Sequence, residues 1–408
     1  MHSASPLQQR AEQTIRGAAS GLLELSRSIG SDPEPGFQEH RAAARVASSL
    51  IEAGFDAQVG VYGLPTAIEA GYGAGEATIV VVGEYDALPG VGHACGHNII
   101  AAAGVGAALG LREVADELGC RVVFLGTPAE ENGGGKVIML ERGAWDDATF
   151  SLMVHAAGAG QLRTAGGTSQ ALDYSIVTFH GAPAHAAFAP QEGINAGSAV
   201  TLAEVGIGLL RQHLPRDVVV SSIATTGSAV NVIPESATME LEIRGNSAES
   251  WETAKTRVRQ VVAGAALAAG CTYEIDVPSP GYAPLEQDPD LSELFDRALA
   301  ALRGDDPSEW GSGMTLGSTD MGDVSRFLPA IHPMIALEGT SATPHQHEFA
   351  SAAVSPEGDT AVIHGAIALA RAAIGALEDT RVRARLLAAQ RDRAPYPRGR
   401  WFDAPMPA

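Results

Sequence analysis

The sequence predicts an α/β protein: a large domain with a mixed sheet flanked by helices, and a smaller ferredoxin-like α+β domain inserted into it. The first half alternates helical patterns with short apolar runs, which is typical of buried strands in an α/β sheet. From Leu172 to about Tyr282 the pattern changes to strand, helix, strand, strand, helix, strand. The length of 408 residues exceeds what one hydrophobic core usually supports, which favours two domains.

The elements of the first half follow from the spacing of apolar residues. Ile15, Leu22 and Leu25 recur at helical spacing, whereas the strands are continuous runs rich in β-branched residues. The predicted elements are helices over 7–29, 41–54 and 99–118 and strands over 78–82, 121–125 and 151–154. We expect these strands to form the sheet of the large domain.

The second half contains the inserted segment and the return to the large domain. The predicted elements of the insertion are strands near 173–180, 217–225, 237–244 and 272–277 and helices near 193–213 and 249–270. Helices near 289–303 and 356–377 then surround a strand at 334–337. The expected division is a discontinuous large domain (1–170 and 284–390), an inserted domain (171–283) and a Pro- and Arg-rich, poorly structured tail (391–408).

Composition and charge exclude several classes of protein. Lys and Arg number 27 against 48 Asp and Glu, so the net charge is −21 and a nucleic-acid partner is not expected. No apolar run reaches the roughly 18–20 residues of a membrane span, and the N-terminus lacks the pattern of a secretory signal. The three cysteines cannot form a disulfide framework, which favours the cytoplasm.

The densest polar cluster is His93–Asn98, which follows the segment Gly83–Gly90 after the strand at 78–82. Cys95 and His97, two residues apart, can present both ligand atoms on one side of a turn, and Gly96 lets the backbone approach a bound ion. Two alternatives are a buried cysteine with nearby capping histidines and a catalytic thiol with His97 as its base. This cluster alone does not decide among the three interpretations.

A second cluster follows the strand at 121–125. Glu130 and Glu131 come at its carboxyl end, where open α/β sheets bind ligands, and a glycine run follows them. Adjacent like charges are unfavourable there unless a cation holds them, so one glutamate can bind metal while the other remains free as a base. The alternative is a solvated loop that contains two acids.

Two further clusters contribute histidines. His155 closes the strand at 151–154, although a single histidine there is more often a satisfied core residue. Late in the chain, Thr343–Phe349 contains His345 and His347. Together the four clusters supply Cys, His, Glu, His and His, which is enough for two divalent ions with open positions for water.

These segments resemble a known family of two-domain metallopeptidases that includes carboxypeptidase G, aminoacylase and the auxin-conjugate amidohydrolases. The nearest branch is that of p-aminobenzoyl-glutamate hydrolase and the β-alanyl-lysine-type dipeptidase. The resemblance runs in order from about residue 10 to residue 375. The matching segments are Glu84–Pro89, His93–Asn98, Pro128–Glu131, Val154–His155, Ala184–Ala187, Gly193–Ala196, Asn231–Pro234 and Gly317–Gly322.

The resemblance assigns roles by position around two divalent ions, Zn or Mn. Cys95 matches the bridging ligand, and the other ligands it implies are His97, Glu131, His155 and His345. Glu130 matches the general base, and Asp86 matches a carboxylate that orients a ligand. His347 lies so close to His345 that either could be the last ligand, and Asn98 stands where many of these amidohydrolases have Asp.

The resemblance also implies substrate-binding residues on the inserted domain. His185, Asn231 and Arg244 match them, and His185 of this family typically reaches the active site of the partner subunit. Asn231 and Arg244 are thirteen residues apart and suit a substrate carboxylate, for which Arg supplies a two-pronged donor.

We therefore expect a metal-dependent amidohydrolase or dipeptidase that cleaves a small N-acyl amino acid or dipeptide carrying a carboxylate. The edge strands of the inserted domain predict a homodimer through it, with hinges near 168–171 and 282–285 so that this domain can close as a lid. Two alternatives remain: a cysteine hydrolase that uses Cys95 and His97, and a non-catalytic metal-binding protein on the same fold.

Overall fold

The computed structural model describes residues 4–158, 160–311 and 315–400. The chain divides into a larger unit of Met1–Thr168, Leu285–Leu316 and Asp320–Ala408 and a smaller unit of Ser169–Pro284 with Gly317–Thr319. The larger unit is a mixed sheet with helices on both faces, and the smaller is an antiparallel sheet with two helices. The fold class predicted from the sequence is confirmed.

The described elements are numbered in chain order. The helices are α1 Pro6–Gly17, α2 Ala19–Gly30, α3 His40–Glu52, α4 His97–Arg112, α5 Ala115–Leu118, α6 Gly135–Glu141, α7 Ala196–Leu210, α8 Ala248–Ala269, α9 Pro289–Arg303, α10 Met321–Phe327, α11 His347–Ala352, α12 Pro356–Glu378 and α13 Thr380–Asp392. The strands are β1 Asp56–Val59, β2 Ile68–Gly73, β3 Ala77–Glu84, β4 Cys120–Thr127, β5 Phe150–Leu152, β6 His155–Ala157, β7 Thr168–Ser169, β8 Ala171–His180, β9 Val219–Thr225, β10 Ser236–Gly245, β11 Thr272–Asp276, β12 Thr315–Leu316, β13 Ala330–Ile331 and β14 Met334–Ala336.

The main sheet of the larger unit has the strand order β1-β2-β4-β3-β5-β13. The strands β4, β3, β5 and β13 are parallel to one another, whereas β2 runs antiparallel to β4 and β1 runs antiparallel to β2. Along β3, Ile79 and Val81 join the core beside α4 and α12, and Val80 and Val82 join a second core beside α6 and α10. Because both faces are covered, the strand is buried along its whole length and its central residues, 79–82, are all apolar, as the sequence indicates.

Helix α12 is long and apolar enough to cross a membrane by length and composition. However, 72% of its apolar window is buried inside the fold, where it packs against α4 and α9. The same length and composition are found in core helices, so this helix is weak evidence for a membrane span.

The smaller unit is an antiparallel sheet in the order β11-β8-β10-β9. Strand β8 pairs with β10 along its whole length, from Ala171 opposite Gly245 to His180 opposite Ser236. Helices α7 and α8 each bury one apolar side against the same face of the sheet. The strand and helix order is the predicted split βαβ pattern.

Several element boundaries differ from the predictions. The helix predicted over 7–29 is two helices, because Ala18 ends α1 and begins α2. The preceding Gly17 weakens helix propensity by about 1 kcal/mol relative to Ala, which favours a break there. The helix predicted over 99–118 is divided into α4, which ends at Arg112, and the short α5 over Ala115–Leu118, and the short exposed strand β1 was not predicted.

The C-terminal segment was expected to be a poorly structured tail from 391. Helix α13 extends to Asp392, and the following residues have no helix or strand up to 399. Arg393 Nη2 donates hydrogen bonds to the carbonyl oxygens of Trp145 at 3.2 Å and Asp146 at 2.7 Å, so this part is anchored to the larger unit. Residues 401–408 lie outside the described residues.

Candidate metal centre

Two parallel strands of the larger unit end side by side and carry most of the predicted site. Glu84, the last residue of β3, pairs in register with Thr127, the last residue of β4. The chain after β3 then carries Asp86, and the chain after β4 carries Glu130 and Glu131. The polar segments are therefore brought to the same edge of the sheet, as expected for an open α/β site.

Cys95, His97 and Glu131 form a first group of potential metal ligands. One ligand atom of each lies within 4.8 Å of the other two. Gly96 between the first two has φ 75°, and a Cβ atom there would lie 2.5 Å from the Cβ of Ala156, so the turn requires glycine. Thiolate, imidazole and carboxylate are a donor set that suits Zn²⁺.

Cys95 lacks the surroundings of an activated nucleophile. Burial raises the pKa of its thiol, and the nearby Glu131 carboxylate raises it further. A catalytic cysteine needs the opposite shift, from a neighbouring positive charge or a base that withdraws the proton.

Asp86 fixes the orientation of the His97 ring. Nδ1 of His97 lies 2.8 Å from the backbone oxygen and 3.1 Å from Oδ1 of Asp86, so Nδ1–H is the donor and Nε2 carries the free electron pair. Nε2 has no hydrogen-bond partner among the described residues. Burial lowers the pKa of His97, but the carboxylates of Asp86 and Glu84 outweigh it and raise the pKa well above its usual value. A divalent ion would take the place of that proton.

His155 belongs to a second group with Glu84 and His97, whose ligand atoms again lie within 4.8 Å of one another. Nδ1 of His155 lies 2.7 Å from the backbone oxygen of Ala156, which leaves Nε2 as the ligand atom. Burial lowers the pKa of His155 to about 4, so the ring is neutral, as a metal ligand must be. His155 therefore shares the orientation and the charge state of a ligand.

His345 approaches the same region from a late segment of the chain. Its Nε2 lies 3.9 Å from Oε2 of Glu131, and its backbone N–H donates to the carbonyl oxygen of Ala94 at 2.9 Å. The residue has φ 71°, a left-handed conformation that is uncommon outside glycine. His347 is the first residue of helix α11.

Glu130 faces a third group, formed with Glu84 and Asp320. Nζ of Lys136 lies 2.5 Å from Oε1 of Glu84 and 2.7 Å from Oδ1 of Asp320. Burial lowers the pKa of Lys136, but the two carboxylates outweigh it and raise the pKa above its usual value. Burial also raises the pKa of Glu130, and Glu84 adds to that rise. The adjacent glutamates 130 and 131 thus have different surroundings.

A buried carboxylate supports the backbone next to Glu130. Oε1 of Glu39 accepts a hydrogen bond from the N–H of Ala129 at 2.8 Å, and Oε2 accepts one from the hydroxyl of Thr66 at 2.8 Å. Ala129 has φ 56°, a conformation that non-glycine residues rarely adopt. Glu39 therefore stabilises a strained turn that positions the glutamate pair.

The smaller unit brings two of its predicted substrate-binding residues together. His185 and Val232 form a bridge, and the N–H of Ala186 donates to the carbonyl oxygen of Asn231 at 3.0 Å. Both His185 and Asn231 are exposed. Nδ1 of His185 accepts from the N–H of Phe188 at 3.2 Å, which leaves Nε2–H as a free donor.

Arg244 lies away from that pair. It is near the end of β10, whereas Asn231 precedes the strand; at roughly 3.3 Å per residue, Ser236 to Arg244 spans about 26 Å. One substrate carboxylate therefore cannot contact Asn231 and Arg244 of the same chain, contrary to the expectation from their spacing. The Arg244 guanidinium is held by Glu242, with Nε 2.7 Å from Oε1, and donates to Oγ of Ser318 at 3.3 Å.

Sequence reasoning missed several residues of this region. Glu84 and Asp320 stood within quoted motifs without a role, although Glu84 ends a buried strand just as the Glu130 segment does. His332 is buried with its ring centroid 5.2 Å from that of His155, and nothing in its local sequence indicated this contact. Lys136 had only the preceding glycine run as a signal of close packing.

The mixed sheet and its clustered thiol, imidazole and carboxylate groups are those of a metal-dependent hydrolase. Residues 80–362 match the family model described as Peptidase family M20/M25/M40. The chain belongs to this family, as its motifs predicted.

Relatives and solved structures agree with this assignment. The chain is 34% identical to "Xaa-Arg dipeptidase" of Mus musculus, over 90% of this chain and 88% of that protein. It is 31% identical to one subunit of the p-aminobenzoyl-glutamate hydrolase of Escherichia coli, over 64% and 59% of the two chains. A dinuclear metal binding peptidase from the M20 family of Bacillus subtilis has the same fold, with a TM-score of 0.68 at 21% identity and coverage of 89% and 99%.

The family establishes the general activity. The protein is a metal-dependent amidohydrolase, and its family acts on dipeptides and N-acyl amino acids. Neither a cysteine hydrolase nor a non-catalytic metal-binding protein is supported.

Proposed function

We propose that this enzyme hydrolyses the amide bond of a dipeptide or a small N-acyl amino acid, with two divalent ions and with Glu130 as the general base. The observation that carries the proposal is the separation of two adjacent glutamates. Glu131 groups with Cys95 and His97, whereas Glu130 groups with Glu84 and Asp320. Nε2 of His97 lies 3.9 Å from a carboxylate oxygen of each glutamate, but it is Glu131 that also groups with Cys95, which supports coordination by Glu131 and proton transfer by Glu130.

The ligands of the proposed ions are Cys95, His97, Glu131, His155 and His345. Support comes from the two buried imidazoles, each with Nδ1 against an oxygen and Nε2 available. Cys95 would supply a thiolate to hold the ions, and the approach of His345 to Glu131 favours His345 over His347 as the last ligand. We infer Zn or Mn, because a thiolate suits Zn²⁺ and carboxylates suit Mn²⁺.

Bound divalent ions would supply Lewis acidity and lower the pKa of a coordinated water from about 15.7 towards roughly 7. Glu130 takes the proton of the attacking water and transfers it to the leaving amide nitrogen. Burial and the neighbouring carboxylates raise the pKa of Glu130, which suits a base that must also act as an acid. Nε2–H of His185 would donate to the developing oxyanion.

The substrate carries a free carboxylate. The relative named Xaa-Arg dipeptidase, at 34% identity, favours a dipeptide, and the relative from p-aminobenzoyl-glutamate hydrolase extends the range to N-acyl amino acids. Arg244 would bind the carboxylate through N–H groups not used by Glu242 and Ser318. Asn231 would contact the substrate beside His185.

We propose further that His185 and Asn231 act on the site of the partner subunit in a homodimer. About 26 Å of strand separates the start of β10 from Arg244, which supports contributions from two chains. The lid movement predicted from the sequence, at hinges near 168–171 and 282–285, would close the site over substrate.

The dimer contact would be the β9–α7 side of the smaller unit. Strand β9, at one edge of the described sheet, has no charged residue, and Ile223 on it is 71% exposed. On α7, three exposed apolar residues recur at helical spacing: Leu202, Val205 and Leu209. The opposite edge strand β11 carries Glu274 and Asp276, which discourage pairing there. An uncharged edge beside an apolar stripe is typical of a protein interface.

We infer a cytoplasmic location without a nucleic-acid or membrane partner. The net charge of −21 disfavours nucleic acid. Cys95, Cys120 and Cys271 are all free thiols, which suits a reducing compartment.

The test is a panel of dipeptides and N-acyl amino acids assayed after chelation and after addition of Zn²⁺ or Mn²⁺. We expect hydrolysis only with metal, and loss of it when the substrate carboxylate is amidated. Full activity in excess chelator, or equal rates on amidated substrates, would contradict the proposal.

A further inference from the structure

The described structure contains a cation position that is already filled by the protein itself. Glu84, Glu130 and Asp320 each offer an oxygen within 4.8 Å of the other two. The ammonium of Lys136 lies 2.5 Å from Glu84 and 2.7 Å from Asp320, and the side chains of these three residues are fully buried. The backbone N–H of Lys136 also donates to Oδ2 of Asp320 at 2.9 Å.

Three clustered carboxylates need a positive charge. Buried like charges strongly disfavour one another, and a divalent ion coordinated by oxygen would relieve this as well as an ammonium does. Lysine is a rare residue type in this chain, which contains two lysines, Lys136 and Lys255. Its position on the first turn of α6, directly after the glycine run, brings Nζ to the carboxylates.

A metal ion at that position would change the role of Glu130. Its carboxylate belongs to the group, so it would become a ligand rather than a free base. An ammonium donates hydrogen bonds but does not coordinate oxygen atoms, so it neutralises Glu84 and Asp320 without making Glu130 a metal ligand.

We propose that Lys136 is a built-in counter-cation that excludes a further metal ion from the Glu84–Glu130–Asp320 group, so that Glu130 does not become a metal ligand and can transfer protons. The catalytic half of this proposal rests on the proposed role of Glu130. The exclusion of metal does not, because it concerns ion binding alone. Lys136 is thus a positioning residue.

The experiment counts bound ions by elemental analysis and calorimetry in Mn²⁺. Wild type should saturate at two ions per chain, whereas Lys136→Met should bind one more. The thermal midpoint of Lys136→Met should also rise more on Mn²⁺ addition than that of wild type. Lys255→Met, which removes the other lysine, on the smaller unit, should leave the count at two. Three ions in wild type, or an unchanged count in folded Lys136→Met, would overturn the proposal.

If Lys136→Met does not fold, a second variant tests the same proposal. Glu84→Gln/Lys136→Met removes one charge of each sign, which keeps the net charge of the group while opening the cation position. It should bind the additional ion at higher Mn²⁺ concentration, through Asp320 and Glu130. A folded double variant that binds no more Mn²⁺ than wild type would equally refute the proposal.

Activity gives the second readout. The kcat of Lys136→Met should fall by at least about tenfold as Mn²⁺ fills the additional position, over a range that leaves wild-type kcat unchanged. If kcat stayed constant while a third ion was bound, the claim that Lys136 keeps Glu130 available as the base would be refuted. If no variant hydrolyses any amide, the proposed function fails, while the ion count still decides the exclusion of metal.

Discussion

The carboxylate of Asp86 holds His97 through Oδ1 at 3.1 Å from Nδ1, while its Oδ2 accepts the N–H of Glu131 at 3.0 Å. In Asp86→Asn one of these oxygens becomes an NH₂ group, so one of the two acceptors is lost. Ligand-orienting groups of this kind typically contribute about 10–100-fold to metal affinity. We expect a loss of that size, measured by competition with a chelator. The exposed change Asp276→Asn on β11 should leave the affinity unchanged.

Glu130→Gln and Glu131→Gln should separate the two roles. Glu130→Gln should retain the metal and lose at least about 10²-fold in kcat, because the base is removed. Glu131→Gln should instead lower metal occupancy. Elemental analysis beside steady-state kinetics distinguishes them, and the reverse pattern would mean that the roles are exchanged.

Glu39 predicts a pH dependence of stability. Burial, with Asp86 adding, raises its pKa from 4.5 to about 7. A raised pKa in the folded state gives stability that is complete below about 4.5 and is lost as the pH rises through about 7. Relative to wild type, Glu39→Gln should therefore gain on the order of 1–3 kcal/mol in unfolding free energy between about pH 5 and pH 8. Denaturant titrations of the metal-free proteins test this, and a difference that does not vary with pH would exclude it.

Mixing two inactive variants tests whether His185 acts across the dimer. His185→Ala and Glu130→Gln should each be nearly inactive. After subunit exchange, a mixed dimer contains one site with wild-type Glu130 from one chain and wild-type His185 from the other, so part of the activity should return. If exchange is demonstrated and activity stays at the parental level, His185 does not act in the partner site.

The proposed contact predicts the effect of a charge on β9. Ile223→Lys adds a charge to an uncharged edge strand, so it should convert the dimer to monomers by light scattering. Activity should fall with it, since the donated His185 is lost. Thr272→Lys, the equivalent change on β11, should preserve the dimer.

The elements that could be predicted from the sequence are those whose apolar residues follow a regular pattern because the element is buried in one core. The central residues of strands β3 and β4 are apolar because both faces of the sheet are covered, and the acids that the motifs identified lie at or after the carboxyl ends of these strands. Helix boundaries such as Ala18 were missed because a break depends on tertiary packing as well as propensity.

The unpredicted site residues depend on long-range contacts. Lys136 meets Asp320, 184 residues later, and His332 stacks on His155 from a different strand segment. The spacing of residues along a short stretch of sequence cannot predict contacts between residues so far apart in the chain. The distance between Asn231 and Arg244 was misjudged because thirteen residues in an extended strand reach much further than the same number in a turn.

The two segments that connect the smaller unit to the larger one are hydrogen-bonded to each other. Leu172 and Tyr282 exchange backbone hydrogen bonds at 2.9 and 2.8 Å, and in the larger unit Oγ1 of Thr168 donates to the carbonyl oxygen of Leu285 at 2.7 Å. Hydrogen-bonded antiparallel partners have Cα atoms roughly 5.5 Å apart. Segment 169–284, which forms the smaller unit together with Gly317–Thr319, therefore has adjoining ends. We expect that it can be replaced either by a linker of a few residues or by the corresponding segment of another family member.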